Sequence, residues 1–242
     1  MFRSPQNYRT FLAILMTYAL DLVGYSIVFP VLAPLLLNPD LHFFAAGTPE
    51  ETRTLVLGFL FAAFGIAQFF GASFVGALAD HYGRYKTFLW TIAFSVIGYI
   101  LMAWSIYQQD LIWLFVGRIF TGLCSGNFAL AQAATADLTD EHHRSRAFSL
   151  LLGVGGLGFV AGPWIGGKLG NPDWLSGAGA FIFAAIAALI NLCIVWFFYV
   201  ESWSRKEPTE TGLLRTFKDI RFVFHQRNLR IILTAYLFFS IG

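Results

Sequence analysis

Six apolar runs, each long enough to cross a lipid bilayer, follow one another along the chain. They lie near residues 10–36, 53–78, 87–107, 111–136, 147–169 and 177–200. A helical span needs about 20 mostly apolar residues to cross the hydrocarbon core. Helices are favoured over strands because lipid offers the backbone no hydrogen-bond partners, and the period-two alternation of a membrane barrel is absent. The runs predict an all-helical polytopic membrane protein.

The composition excludes an ordinary soluble domain. Of the 242 residues, 57% are hydrophobic and 12% are charged, whereas soluble domains carry roughly 25% charge. A seventh apolar run starts near Leu229 and reaches Gly242, which is shorter than a span. We therefore expect three segments and the first half of a longer protein. The segments are a six-helix bundle at 1–200, a cytoplasmic connector with an amphipathic helix at 201–228, and the truncated start of a seventh helix at 229–242.

The basic residues predict the orientation. Most Lys and Arg residues precede the first run, follow the second and fourth runs, or lie in 201–229. Because positive charge accumulates on the cytoplasmic side of membrane proteins, we expect the N-terminus in the cytoplasm. We also expect the protein to lie in the cytoplasmic (inner) membrane.

Asp21 is the only acidic residue inside a predicted span. A carboxylate at membrane depth is costly, so it must be neutral, paired or facing a wet cavity. It is then a candidate proton carrier, which attracts water or a cationic substrate when it is ionised. The alternative is a fixed ion pair or hydrogen bond that holds the first helix in place.

Arg118 is the only basic residue deep inside a predicted span. Ser125 and Gln132 follow at seven-residue intervals, so a polar stripe is predicted along one face of the fourth helix. Arg118 is a candidate electrostatic modulator of a nearby carboxyl group, or else a structural brace bonded to backbone carbonyls. Asn127 is predicted on the opposite face, where helix packing explains it.

The fifth run has a dense set of glycines around one proline. Glycines four residues apart allow close helix approach, and a proline bends a helix. The pattern predicts a hinge or a tight seal, and ordinary membrane packing is the alternative. Its residues are Gly158, Gly162, Pro163, Gly166 and Gly167.

The turn after the second run resembles a motif of the major facilitator superfamily. The motif residues are Gly76, Leu78, Asp80, Gly83 and Arg84. His81 and Tyr85 stand where that family usually places Arg or Lys.

Further motifs in the expected order resemble the drug–proton antiporter, tetracycline-efflux-like branch of that family. They are Asp21-x2-Gly24-x5-Pro30, Arg118-x3-Gly122, Gly158 to Gly167, Asp137 with Arg144, and Asn191 with Glu201-Ser202. The chain is thus identified as resembling the N-terminal half of such an antiporter, with two inverted three-helix repeats.

That resemblance implies a cytoplasmic latch. Asp80 would meet a helix N-terminus of the second half, and Arg84 would pair with Asp137. Gly76, Gly83 and Arg144 would complete the latch. A neutral or titrating His81 and an uncharged Tyr85 would make it looser or more sensitive to pH than is usual in the family.

The predicted function is proton-coupled export of a small amphipathic or cationic drug-like compound by alternating access. Asp21 and Arg118 would couple protons, and Tyr25, Phe128, Gln132 and Trp164 would line the substrate cavity. The expected partners are the substrate, protons, the lipid bilayer and a second six-helix half. We expect no cofactor, metal or nucleic acid, and no enzyme activity, because no nucleophile–base set, metal cluster or phosphate loop is evident.

Two alternatives stay open at this point. The first is uptake or facilitated transport of a nutrient, metabolite or metal chelate. The second is a non-transporting half that acts as a membrane assembly partner.

Overall fold

The computed structural model describes residues 5–171 and 175–201, and the regular elements in these residues are helical. Six helical stretches are long and apolar enough to cross a membrane, which confirms the six predicted runs. We call them spans 1 to 6. They cover Gln6–Leu37, Glu50–Tyr82, Arg84–Gln108, Leu111–Leu138, Glu141–Leu169 and Gly179–Phe198. The protein is therefore a multi-pass membrane protein. Of the predicted connector and seventh helix, all but Glu201 fall outside the described residues.

Spans 1 and 4 are each built from two helices. Span 1 comprises α1 (Pro5–Ser26) and α2 (Phe29–Leu37), and span 4 comprises α5 (Leu111–Cys124) and α6 (Asn127–Leu138). Pro30, in the first turn of α2, has no backbone N–H to donate to an unbroken helix. Spans 2, 3, 5 and 6 are the continuous helices α3 (Glu50–Tyr82), α4 (Arg84–Gln108), α7 (Glu141–Leu169) and α8 (Gly179–Phe198). A 3₁₀ turn, Leu175–Gly177, precedes α8.

The spans pack as two inverted three-helix repeats. Span 1 packs against span 5, and span 4 packs against span 2 in the matching way. Spans 3 and 6, the last spans of the two repeats, also pack against each other. Exchanging spans 1–3 with spans 4–6 therefore preserves the main helix contacts, as expected for inverted repeats.

The buried side chains form two apolar clusters. One lies around α2, with Leu32 and Phe181 among its fully buried members. The other lies toward the ends of α3 and α6, with Phe88 and Leu151 fully buried. Residues of α1, α4 and α6 contribute to these clusters, and the same helices carry the buried polar residues Thr17, Thr91 and Asn127.

Gly83 alone separates α3 from α4. Its φ is +93°, a region that L side chains rarely adopt. A Cβ built there would lie 2.5 Å from the Glu201 carboxylate. Both the backbone and the neighbouring residue therefore require glycine at this position.

We expect Gly83→Ala to lower the free energy of unfolding by about 1–2 kcal/mol, because the substitution strains the backbone and displaces Glu201. Thermal melting of the purified protein measures the effect. Gly76→Ala is the matched control, since a Cβ at Gly76 meets nothing within 4 Å. Replacing that helical glycine should stabilise α3 by about 0.5–1 kcal/mol. Equal destabilisation by both variants would contradict the expectation.

Candidate functional site

Asp21 lies at one end of a hydrogen-bonded chain that connects three spans. The Asn127 side chain hydrogen-bonds to the Asp21 carboxyl group. The Thr91 hydroxyl donates to Asn127 Oδ1 at 2.5 Å. Because Oδ1 is engaged by Thr91, the amide N–H₂ of Asn127 is the group available to donate to Asp21. This chain joins α1, α6 and α4.

The second oxygen of Asp21 is buried without a hydrogen-bond partner among the described residues. Asp21 also lines a cavity of about 30 Å³, together with Tyr25, Ser95, Tyr99 and Ser125. A cavity of this size has room for a water molecule or two, whereas drug-sized ligands fill roughly 300–1,000 Å³. In this conformation the cavity can therefore hold a water or a proton at Asp21 but not a drug.

The expectation that Asn127 lies on the face opposite to the polar stripe is wrong, because Asn127 and Ser125 line the same cavity. That expectation treated the fourth span as one continuous helix. In the structure α5 ends at Cys124 and α6 begins at Asn127, so the phase of the helix changes between them. The polar stripe breaks at the same point: Ser125 lines the Asp21 cavity, but Gln132 is half-buried outside that cavity. The Ser125-Gly126 pair inside an apolar run was the signal that could have revealed the break.

Arg118 is buried, with 3% of its surface exposed, and its guanidinium lies over two aromatic rings. The ring centroids of Phe64 and Phe61 are 4.4 Å and 5.6 Å from its Cζ atom. Among the described residues no ion pair joins Arg118 to Asp21. Tyr99 lines the Asp21 cavity and lies near Arg118. Arg118 can thus influence Asp21 only at a distance or through Tyr99 in this conformation.

An aromatic cluster surrounds Tyr25, one α1 turn beyond Asp21. The ring of Tyr25 lies 5.4–6.3 Å from the rings of Phe29, Phe64, Phe128 and Phe159. These rings come from α1, α2, α3, α6 and α7, so one small region brings together spans 1, 2, 4 and 5. Phe29 and Phe159 are 40% and 44% exposed, so one side of the cluster is open.

Of the four predicted cavity residues, the structure places Tyr25 and Phe128 together. Trp164 lies apart and is 65% exposed, with the Lys168 Nζ atom 4.2 Å from its ring centroid. Tyr25 and Phe128 are therefore neighbours, whereas Gln132 and Trp164 each lie apart from them.

Three of the predicted span 5 glycines face span 1. A Cβ on Gly158 would meet the Ala19 carbonyl, and one on Gly162 would meet the Ser26 hydroxyl and the Val23 carbonyl. Gly166 faces the Ile27 backbone in the same way. The contact is thus between helix backbones, as expected for glycines four residues apart.

The two remaining residues of that motif take no part in this glycine-mediated contact. A Cβ on Gly167 would meet nothing within 4 Å. Pro163 lies inside α7, which runs from Glu141 to Leu169 without interruption. Gly155 and Gly170, outside the predicted set, extend the contact with span 1, since Gly155 meets Tyr18 of α1 and Gly170 meets Val31 of α2.

The predicted latch residues meet where α3, α4 and α6 end. Arg84 Nε lies 3.3 Å from Asp137 Oδ2, and Arg84 Nη1 lies 3.8 Å from Asp80 Oδ1. Arg144 Nη2 donates to the Ala136 carbonyl at 3.5 Å. Asp80 and Asp137 are partly exposed, so these pairs contribute only about 0–1 kcal/mol each. Bonds this weak can be made and broken during a conformational change.

Glu201 lies beside the predicted latch residues, a contact that motif reasoning missed. Its carboxylate accepts a hydrogen bond from the Tyr85 N–H at 3.0 Å, at the N-terminus of α4. A negative charge is favoured there. Tyr85 also stacks on Tyr199, with ring centroids 5.9 Å apart. The aromatic ring of Tyr85 therefore packs against the chain that leaves span 6, at a position where a basic residue would be usual in the resembled family.

Comparison with known proteins identifies this arrangement. The profile of the Major Facilitator Superfamily matches residues 14–242. The chain belongs to the major facilitator superfamily.

The most similar major facilitator relatives include tetracycline resistance proteins. The class H protein of Pasteurella multocida is 32% identical over 230 residues, covering 94% of this chain and 54% of that protein. The class C protein of Escherichia coli is 33% identical over 222 residues, covering 91% and 52%. The chain thus spans about half the length of the curated relatives that it matches.

Solved major facilitator structures share the fold. The human organic anion transporter MFSD10 superposes with a TM-score of 0.70 at 24% identity, over 87% of this chain and 52% of that chain. The POT family transporter PepTSo also gives 0.70, at 21% identity, over 90% and 43%. At these identities the likeness bears on the fold alone.

Proposed function

We propose that this chain forms one half of a proton-coupled exporter of small amphipathic or cationic drug-like compounds. The observation that carries the proposal is the buried Asp21 oxygen without a partner, beside an open aromatic cluster in a major facilitator bundle. The tetracycline resistance relatives support export as the direction of transport.

Asp21 is the proposed proton site. In its ionised form it accepts the hydrogen bond from Asn127, and the residue lines a cavity wide enough for water. Protonation removes the charge and with it the main electrostatic reason for Asn127 to hold this carboxyl group. A proton can thus change the strength of a contact between α1 and α6. Arg118, which interacts with Tyr99, would bias this exchange electrostatically.

The aromatic cluster around Tyr25 is the proposed wall of the substrate cavity. Aromatic faces attract cationic and flat apolar groups, and Asp21 lies one turn away to attract the positive charge. The ring faces that Phe29 and Phe159 expose would contact the compound. Gln132 and Trp164 would be reached only by a compound that extends beyond the cluster.

Alternating access requires a second six-span half, which we propose as the partner of this one. Major facilitator halves enclose a site near the bilayer midplane and rock around it. The weak ion pairs of Arg84 would form when the cytoplasmic ends of the spans close and break when they separate. The glycine contact between α1 and α7 would serve as hinge or seal. We further propose that the N-terminus lies in the cytoplasm and that the protein resides in the inner membrane.

The proposal can be tested with everted membrane vesicles that contain the full-length protein. An inside-acid pH gradient should drive accumulation of tetracycline or of the cation tetraphenylphosphonium, and an uncoupler should abolish it. Adding substrate should also release protons from the vesicles. Accumulation that persists after the gradient is collapsed would contradict proton coupling. Accumulation in right-side-out vesicles instead would indicate uptake.

Asn127→Leu should uncouple transport while leaving the protein folded. Leucine is similar in size to asparagine but cannot donate to Asp21, and the Thr91 hydroxyl can donate instead to the Thr87 carbonyl 2.9 Å away. We expect pH-driven accumulation to fall severalfold at an unchanged amount of protein in the membrane. Asn191→Leu is the control, because that buried amide pairs with Thr17, away from Asp21. Equal loss in both variants would point to a purely structural role for Asn127.

A further inference from the structure

A second, much larger cavity lies on the outer face of the bundle between α3 and α4, with α5 as its floor. We call it the α3–α4 groove. Its volume is about 740 Å³, and aromatic and aliphatic side chains form nearly all of its lining. Phe74 and Trp90 at its edges are 64% and 60% exposed. Apolar residues in such a groove need an apolar neighbour, which for a membrane helix is lipid or another helix.

The depth of the groove matches one leaflet of a bilayer. Along α4 its lining runs from Lys86 to Phe94, and along α3 from Tyr82 to Phe70. At 1.5 Å per residue these stretches measure roughly 12 and 18 Å. Half of a hydrocarbon core about 30 Å thick is about 15 Å. The groove therefore reaches from the end of the helices to about the middle of the membrane.

Its charge is confined to one end. Among the lining residues that the structure describes, Lys86 is the only charged one, and it is exposed. The Tyr82 side chain lies at the same end and is 56% exposed. A cation above an apolar slot one leaflet deep complements a lipid that has an anionic head and a hydrocarbon tail. The same cation would repel a cationic drug.

We propose that the α3–α4 groove binds an anionic phospholipid of the adjacent leaflet, with an acyl chain between α3 and α4 and the phosphate at Lys86. Under the proposed orientation this is the inner leaflet. The site is separate from the Asp21 cavity but shares a wall with it. Cys124 lines both, and Thr91 lines the groove while donating to Asn127. A bound acyl chain would thus pack against the support of the Asp21 site.

Quenching of Trp90 fluorescence tests the proposal without any transport measurement. The full-length protein is reconstituted in phosphatidylcholine vesicles with rising fractions of phosphatidylglycerol brominated on its acyl chains. The Trp90 signal is obtained as the difference between the wild type and Trp90→Phe. We expect quenching to saturate at a low fraction of the anionic lipid. Brominated phosphatidylcholine should quench only in proportion to its fraction.

Lys86→Gln should raise the half-saturating fraction about fivefold, the factor expected for one lysine near an anionic surface. Arg146→Gln, which removes an exposed charge from the start of α7, is the control and should change nothing. Equal quenching by both lipids, or an unchanged Lys86→Gln variant, would overturn the proposal. Absence of quenching by either lipid would also overturn it, because the groove would then be covered by protein. Each outcome is independent of whether the protein exports drugs.

Discussion

Asp21→Asn is expected to abolish pH-driven accumulation of substrate in everted vesicles while the protein still inserts and folds. Asparagine has nearly the shape of aspartate and can still bond to the Asn127 side chain, but it cannot take up or release a proton. Substrate exchange without a gradient should survive better than driven transport, since rocking of the halves does not itself need the proton. Both fluxes are measured with tetracycline in the same vesicle preparation.

Asp40→Asn is the matched control for that variant. Asp40 is exposed in the loop between α2 and α3, outside the spans. The two substitutions remove the same charge, one at membrane depth and one in a loop. Driven accumulation that survives in Asp21→Asn as it does in Asp40→Asn would remove Asp21 from the coupling mechanism.

Gly162→Val should disrupt the packing of span 5 against span 1. The added carbons would collide with the Ser26 hydroxyl and with backbone atoms of Val23 and Ile27. Backbone cannot rotate out of the way, so α7 must move away from α1. Overpacking costs about 1–3 kcal/mol even where side chains can adjust. We expect a fall in melting temperature of about 4 °C or more in detergent, and a reduced amount of protein in the membrane.

Gly167→Val provides the control on the same helix. Its added side chain would meet nothing within 4 Å, so we expect a change within about 0.5 kcal/mol. A melting temperature that falls equally in both variants would show that valine itself, and not the contact with α1, destabilises α7.

The fold could be predicted because each span is a long run of apolar residues. Each span carries its own signal of length and hydropathy, and the bilayer removes strands from consideration. The Arg84–Asp137 contact was predicted from the family resemblance and not from the residues alone. The two residues lie at helix ends on the same side of the bundle.

The details of the site depend on how each helix is rotated about its own axis. The sequence pattern did not predict that rotation. Two residues between Cys124 and Asn127 shift the phase of span 4 enough to turn Asn127 toward Asp21. Helical periodicity extrapolated from Arg118 could not include that shift. Glu201 was also out of reach as a partner of Tyr85, because 116 residues separate them and the bond needs the relative heights of spans 3 and 6.

The matching breaks in spans 1 and 4 give a common reference point for the two repeats. Asp21 lies six residues before Ile27, and Arg118 lies seven before Ser125, so the two occupy nearly equivalent positions in the two repeats. A nearly symmetric backbone thus carries an acid in one repeat and a base at the corresponding place in the other. Because the repeats are inverted, these places lie on opposite sides of the two breaks. An ionised Asp21 and Arg118 would therefore form a dipole with a component along the spans, and an ion between them would meet a field that points from Arg118 toward Asp21.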